Sequence, residues 1–183
     1  LTSKLRENLK LADNAMTDKA YRVMAFAFKN LDVLNSNSNL EEDMVFLGFC
    51  GMMDNPRPEV KASIEKCFKA GLKPVMITGD HKRTAFAIAF QLGIAKNIGQ
   101  VLTGEEIDKL SDAELTKQCS DYSVFARVSP EHKVRIVKAF KNTKKIVAMT
   151  GDGVNDAPSL KIADIGVGMG KTGTDVVKNV ADM

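Results

Sequence analysis

No Cys-x-x-Cys pair occurs in this chain, and its three cysteines, Cys50, Cys67 and Cys119, are odd in number and far apart. That argues against a zinc site and against a disulfide framework, so the thiols read as buried or idle in a reducing, cytosolic setting. Charge of one sign is not in excess either: 26 Lys and Arg face 23 Asp and Glu, for a net +3. So even a balance gives no basis for a nucleic-acid surface. Long hydrophobic runs are missing too. The longest, such as Val23 to Phe28, fall far short of the ~18 residues that span a bilayer, and no secretory signal is legible. Nor is there a P-loop. Gly170-Lys171-Thr172 has the right ending, but Ile165 stands where Gly-x-x-x-x-Gly-Lys-[Ser/Thr] requires glycine.

What is present reads as a globular protein. The chain has 183 residues, 44% of them hydrophobic and 27% charged. That is enough for one packed domain of roughly 100–150 residues with an appendage. A start at Leu1 and a stop at Met183 within a helical pattern read as a piece of something longer.

Leu5, Leu9, Ala12 and Met16 form one apolar stripe of a helix, and "YRVMAFAFK" follows as a strand. "LDVLNSNSNLEED" is the best linker candidate, dividing an appendage over 1–40 from a domain over 41–183. Strands and helices then alternate. "MVFLGFC" is apolar on both faces, as a strand covered on both sides would be. A helix starting near Pro58 stops at Gly71, the strand "LKPVMI" follows, and "HKRTAFAIAFQLG" is a helix stopped by Gly93. Thr103 with Glu106, and Ser111 with Glu114, fit capping boxes. After the strand "YSVFA", Ser129-Pro130 opens a helix, and "KKIVAM" and "IADIGVG" complete the strands. The spacing predicts an α/β fold, a Rossmann-like parallel sheet with helices on both faces.

One short repeat carries the chemistry. "VMITGD" and "VAMTGD" each end an apolar strand in Thr-Gly-Asp, at Thr78-Gly79-Asp80 and Thr150-Gly151-Asp152. In an open parallel sheet such loops converge at the carboxyl ends of the strands. Thr supplies a hydroxyl and an N–H for phosphate oxygens, and a carboxylate beside phosphate calls for a cation between them, which points to Mg2+. The second copy extends to Asn155 and Asp156. Lys133 falls in the first turn of a helix, where a cation opposes the macrodipole unless an anion is near. Arg127 lies at a strand end, where a plain surface salt bridge is the competing reading.

At "MTGDGVNDAPSLKIADIGVGMG" the chain resembles the hinge segment of P-type cation-transporting ATPases, closest to the calcium-pump-like branch, within the haloacid-dehalogenase-like fold. "DNPRPEV", "MITGDHKRTAFAIAFQLGI" and "VFARVSPEHKVRIVKAF" fall in the family's order, so the resemblance covers roughly residues 44–183. "YRVMAFAFK" resembles the end of the nucleotide-binding domain, which makes 1–40 its tail. The resemblance implies that Thr78 and Gly79 meet the transferred phosphoryl group, with Asp80 beside the nucleotide. It gives Lys133 the phosphoryl oxygens, and Asp152 the Mg2+ with Asn155 and Asp156 ordering that site. Arg127 and Arg22 would contact ATP from the two sides of a cleft. It also implies a cytoplasmic portion of a membrane protein that hydrolyses ATP through an aspartyl-phosphate and moves a cation, calcium in the nearest branch.

One family element is absent. No Asp-Lys-Thr-Gly-Thr occurs, so the central strand with the phosphorylated aspartate is missing, and the chain alone is expected to be inactive. Its slot would be filled by the upstream segment, by a swapped second copy, or by "VMAFAFK". Asn55 stands where the family usually has Pro after Asp54. Two alternatives stay open: a phosphatase of the same fold using Asp54, weakened because Pro56 holds the place of a general acid, or a non-catalytic Mg2+- and nucleotide-binding module.

Overall fold

A computed structural model describes residues 2–19, 21–31, 40–53 and 55–183. The chain divides into two compact units, Leu1–Pro56 and Arg57–Met183. The boundary drawn from the Asn/Ser-rich stretch lay earlier, at 40/41.

In the first unit α1 (Ser3–Thr17) is capped by Thr2, whose hydroxyl accepts from the Leu5 N–H. β1 (Arg22–Phe28) pairs antiparallel with β2 (Val45–Met52), from Arg22 opposite Met52 to Phe28 opposite Val45, with a bulge between Phe26 and Ala27. This corrects the reading of 44–50 as a strand of the parallel sheet covered on both faces. Val45 and Leu47 are 55% and 65% exposed. An unbroken apolar run shows that a strand is apolar but not which strand it pairs with, so a ribbon and a buried central strand read alike. It also corrects one occupant named for the empty slot, because "VMAFAFK" is committed to β2.

The second unit begins with α2 (Pro58–Lys69), Pro58 standing in its first turn. α2 and α3 (Lys82–Gln91) end alike: the Gly71 and Gly93 N–H groups bond the Phe68 and Phe90 carbonyls, and the Leu72 and Ile94 N–H groups bond those of Cys67 and Ala89. Both are Schellman stops, each with its glycine at positive φ as the sequence led one to expect. Between the two helices lies β3 (Met76–Ile77). Then come β4 (Val101–Thr103), α4 (Gly104–Asp108), α5 (Asp112–Gln118) and β5 (Val124–Ala126). α6 (Pro130–Asn142), β6 (Ala148–Gly151), α7 (Ala157–Ile162), β7 (Ile165–Gly168) and α8 (Asp175–Val180) complete the unit. β4 was not read from the sequence; three residues give no periodicity to read. Both capping boxes, Thr103–Glu106 and Ser111–Glu114, form.

The strands of this second unit are parallel and lie in two sheets, ordered β3-β5-β4 and β6-β7. Alternation along β5 covers the first sheet on both faces. Val124 and Ala126 face Ala85 and Ala89 of α3, while Phe125 packs with Leu115 of α5 and with Ile136 and Phe140 of α6. The second sheet packs Met149 with Val137, Leu160 and Val177. Ile77 and Val147 join both of these latter clusters, so the two sheets share a core although β3 and β6 do not pair. This is the α/β fold expected, with its parallel strands in two sheets rather than one.

Candidate active site

Thr78, Gly79 and Asp80 follow β3, Arg127 follows β5, Lys133 lies in the first turn of α6, and Asp152, Asn155 and Asp156 follow β6. All stand at carboxyl ends of parallel strands or in the helix starts that follow, where ligand loops converge in such sheets. Hydrogen bonds link these segments in series. The Val128 N–H donates to the Thr78 carbonyl at 3.3 Å, and the Arg127 N–H donates to the Asp80 carbonyl at 3.0 Å. Ser129 caps α6 two residues later, and Lys133 Nζ donates to Asp156 Oδ1 at 2.6 Å. Arg127 holds φ 50°, a left-handed conformation rare outside glycine, at the turn from β5 into α6. Arg22 lies on β1 in the first unit and is exposed there. Asp54 lies outside the described residues.

The two carboxylates after β6 differ sharply. Asp156 is 8% exposed, and its oxygens are engaged by Lys133 and by the Gly153 N–H, the latter at 3.3 Å. Asp152 is exposed, and among the described residues its carboxylate makes no hydrogen bond or ion pair. Its backbone is held firmly instead: the Thr174 N–H donates to the Asp152 carbonyl at 3.0 Å, and the Met169 N–H to that of Gly151 at 3.2 Å. The loop 169–174, whose Gly-Lys-Thr imitates a P-loop, is therefore a brace for the strand end carrying Asp152. Its Gly173 is required by close approach, because a Cβ there would collide with the Met169 carbonyl.

Hard oxygen donors in this pattern fit Mg2+, which keeps several waters and takes one or two protein carboxylates. Asp152 offers a free carboxylate for that role, and Asp156, already bound to Lys133, fits the role of ordering the site. No cluster of three or more His, Cys, Asp or Glu that could hold a metal ion occurs among the described residues. On the other side, Thr78 Oγ1 donates to Asp80 Oδ2 at 2.7 Å and accepts from the Asp80 N–H at 3.1 Å, a tight turn presenting polar atoms to solvent.

Sequence reasoning did not anticipate Lys82, Asp108 and His132. Lys82 Nζ donates to Glu106 Oε1 at 2.9 Å, and His132 Nε2 lies 2.7 Å from Asp108 Oδ1. The signal was present in Ser129-Pro130-Glu131-His132, where a histidine stands in the capping-box place that usually holds Glu or Gln. The cysteines are free: Cys50 exposed, Cys67 half-buried, Cys119 buried, with burial pushing the Cys119 thiol up from its ordinary value. No helix among the described residues is long and apolar enough to cross a membrane.

Comparison with known proteins gives this geometry its family. The family model of haloacid dehalogenase-like hydrolases matches residues 11–164. Calcium-transporting ATPase 1 of Bacillus cereus is 55% identical over the whole of this chain, which spans 21% of that protein. The calcium-transporting ATPase of Bacillus subtilis is 48% identical over 92% of the chain and 19% of its own length. Calcium-transporting ATPase 1 of Saccharomyces cerevisiae is 43% identical over all of the chain and 20% of its own length. The chain thus spans about one-fifth of the length of the curated relatives it matches, and it belongs to the haloacid dehalogenase-like hydrolases, in the branch of the P-type cation-transporting ATPases.

Proposed function

We propose that this chain is most of the phosphorylation domain of a P-type ATPase, preceded over 1–40 by the tail of its nucleotide-binding domain. The whole protein hydrolyses ATP with Mg2+ through an aspartyl-phosphate and moves a cation across a membrane, with this part on the cytoplasmic side. Calcium is the cation that the relatives' names support.

The observation that carries the reading is the linked series of strand-end loops, from Thr78–Asp80 through Arg127 and Lys133 to Asp156 and Asp152. Such a series presents N–H groups, a cation and a free carboxylate to one anion, which is what phosphoryl transfer demands once the nucleophile is supplied. In this reading Thr78 and Gly79 receive the phosphoryl oxygens and Lys133 neutralises their charge. Asp80, Arg127 and Asn155 serve the nucleotide. Asp152 holds Mg2+, which supplies charge neutralisation and orientation when bound, and Asp156 fixes Lys133.

The nucleophile comes from the segment carrying Asp-Lys-Thr-Gly-Thr, so the chain alone does not turn over ATP. The test is intact mass after incubation with acetyl phosphate and Mg2+, first alone and then with a separately made Asp-Lys-Thr-Gly-Thr segment. The expected result is no adduct on this chain and a hydroxylamine-labile phosphate on the added segment. An adduct on this chain alone would transfer the role to an aspartate within it, with Asp54 the first suspect, and the reading would fall.

A further inference from the structure

We infer that α4 is a positioning element for this site, in which Glu106 holds the start of α3 and Asp108 holds the first turn of α6. The role it plays for phosphate rests on the function proposed above; the coupling itself rests on geometry alone. α4 is a five-residue turn after β4, a strand that carries none of the candidate residues. Yet two of its three carboxylates, Glu106 and Asp108, reach the elements that do.

Glu106 accepts from Lys82 Nζ with both oxygens, at 2.9 and 3.1 Å, and Oε2 also accepts from the Thr103 N–H at 2.7 Å and its hydroxyl at 2.8 Å. Lys82 is the first residue of α3, two beyond Asp80. A cation at that helix start opposes the macrodipole, and Glu106 neutralises it there. The bidentate contact fixes where α3 begins, and so where the Thr78–Asp80 turn ends.

Asp108 acts through a histidine. The Ser129 N–H donates to His132 Nδ1 at 3.0 Å, so Nδ1 carries no hydrogen. The remaining ring hydrogen is on Nε2, which donates to Asp108 Oδ1 at 2.7 Å. One tautomer is thereby selected, with the ring 12% exposed between α4 and α6. Lys133 is the next residue. Arg135 ties the same helix to that same end of α4, donating to the Ile107 carbonyl at 3.0 Å and, just beyond the element, to the Leu110 carbonyl at 2.6 Å. Gly104 lets this happen: a Cβ there would collide with the Arg127 carbonyl and the His132 ring. Neither carboxylate touches a reacting group, but together they set the spacing between the Thr78 turn and Lys133. Directional hydrogen bonds fix such a spacing more narrowly than apolar packing does.

The test uses the isotope-labelled chain. It holds only two histidines, His81 and His132, so the ring nitrogens are readily assigned. Wild type is expected to show His132 with hydrogen on Nε2 only. Asp108→Ala is expected to mix the tautomers, speed solvent exchange of the Ser129 amide about tenfold, the worth of one hydrogen bond, and shift the Lys133 side-chain signals. Asp108→Glu should restore part of each effect. Lys109→Ala, whose partner Glu105 is exposed, should move none of them. Unchanged Lys133 signals in Asp108→Ala would overturn the inference.

Titration with inorganic phosphate and Mg2+ separates the two claims. The expected result is about tenfold weaker binding in Asp108→Ala and in Glu106→Gln. Equal binding by wild type and both variants sinks the positioning role and leaves the function standing. Failure of wild type to bind, with the Lys133 shifts present, sinks the phosphate reading and leaves the coupling standing.

Discussion

Asp152 and Asp156 are four residues apart and chemically alike, yet the fold assigns them opposite tasks. Asp156 is buried against Lys133, so removing either partner leaves the other without its counter-charge in a mostly dehydrated place. Lys133→Met is expected to lower unfolding free energy by about 2 kcal/mol, within the range for hydrogen bonds to charged groups. Asp156→Asn should act in the same direction, and the double variant should lose less than the two single losses added together. Urea unfolding reads all three, and strict additivity would mean that the 2.6 Å contact is not a working pair. Asp152→Asn should leave stability within about 0.5 kcal/mol because the side chain is exposed. Its effect should be confined to Mg2+ binding, read by calorimetry. Gly173→Ala reaches the same strand end indirectly. The collision with the Met169 carbonyl must be relieved by moving the loop that braces Asp152, at about 1–3 kcal/mol.

At the scale of elements, α4 contributes to acid stability through one carboxylate. Partial burial pushes Glu106 up, but the Lys82 ammonium and the Thr103 N–H and hydroxyl outweigh it and hold the carboxyl below its ordinary 4.5. A carboxyl held down in the folded state binds protons more readily when unfolded. Its contribution is therefore present above about pH 4.5 and lost as pH falls through the folded value. Glu106→Gln should flatten the decline of the urea midpoint below about pH 4.5 relative to wild type. Parallel declines would show that Glu106 is not a source of that slope. The element also shows what the sequence could and could not convey. Thr103-x-x-Glu106 announced a helix start, because a capping box is local chemistry within four residues. The Lys82 and His132 links cross from one element to another, and no spacing encodes them. For the same reason Gly71 and Gly93 were legible as helix stops, whereas the partner of β2 was not. Thr-Gly-Asp at two strand ends pointed to a candidate site because the carboxyl ends of parallel strands carry ligand loops wherever they occur in the chain.

For the whole molecule, the feature that remains to be accounted for is the division between β3 and β6. Met76 and Thr78 donate their N–H groups to the Ser123 and Phe125 carbonyls, so the Ile77 N–H between them points away from β5, toward the side where no strand pairs among the described residues. Ile77 and Val147 nevertheless pack into a shared core, which holds the two sheets beside one another. An unpaired N–H in such surroundings costs about 1–3 kcal/mol when buried, so the arrangement favours receiving one parallel strand. On the function proposed above, the Asp-Lys-Thr-Gly-Thr segment would be that strand, and its aspartate the one that Thr78, Lys133 and Asp152 serve. Hydrogen exchange followed residue by residue is the direct measurement. In the chain alone the Ile77 amide should exchange at least tenfold faster than the Phe125 amide of the central strand β5. Adding the segment should slow Ile77 and the β6 amides that face the gap, and leave β4 as it was. Slow exchange of Ile77 before any addition, together with a dimeric mass in solution, would assign the slot to a swapped second copy. Slow exchange in a monomer would mean that the two sheets close on each other, and the need for an added strand would then have to be abandoned.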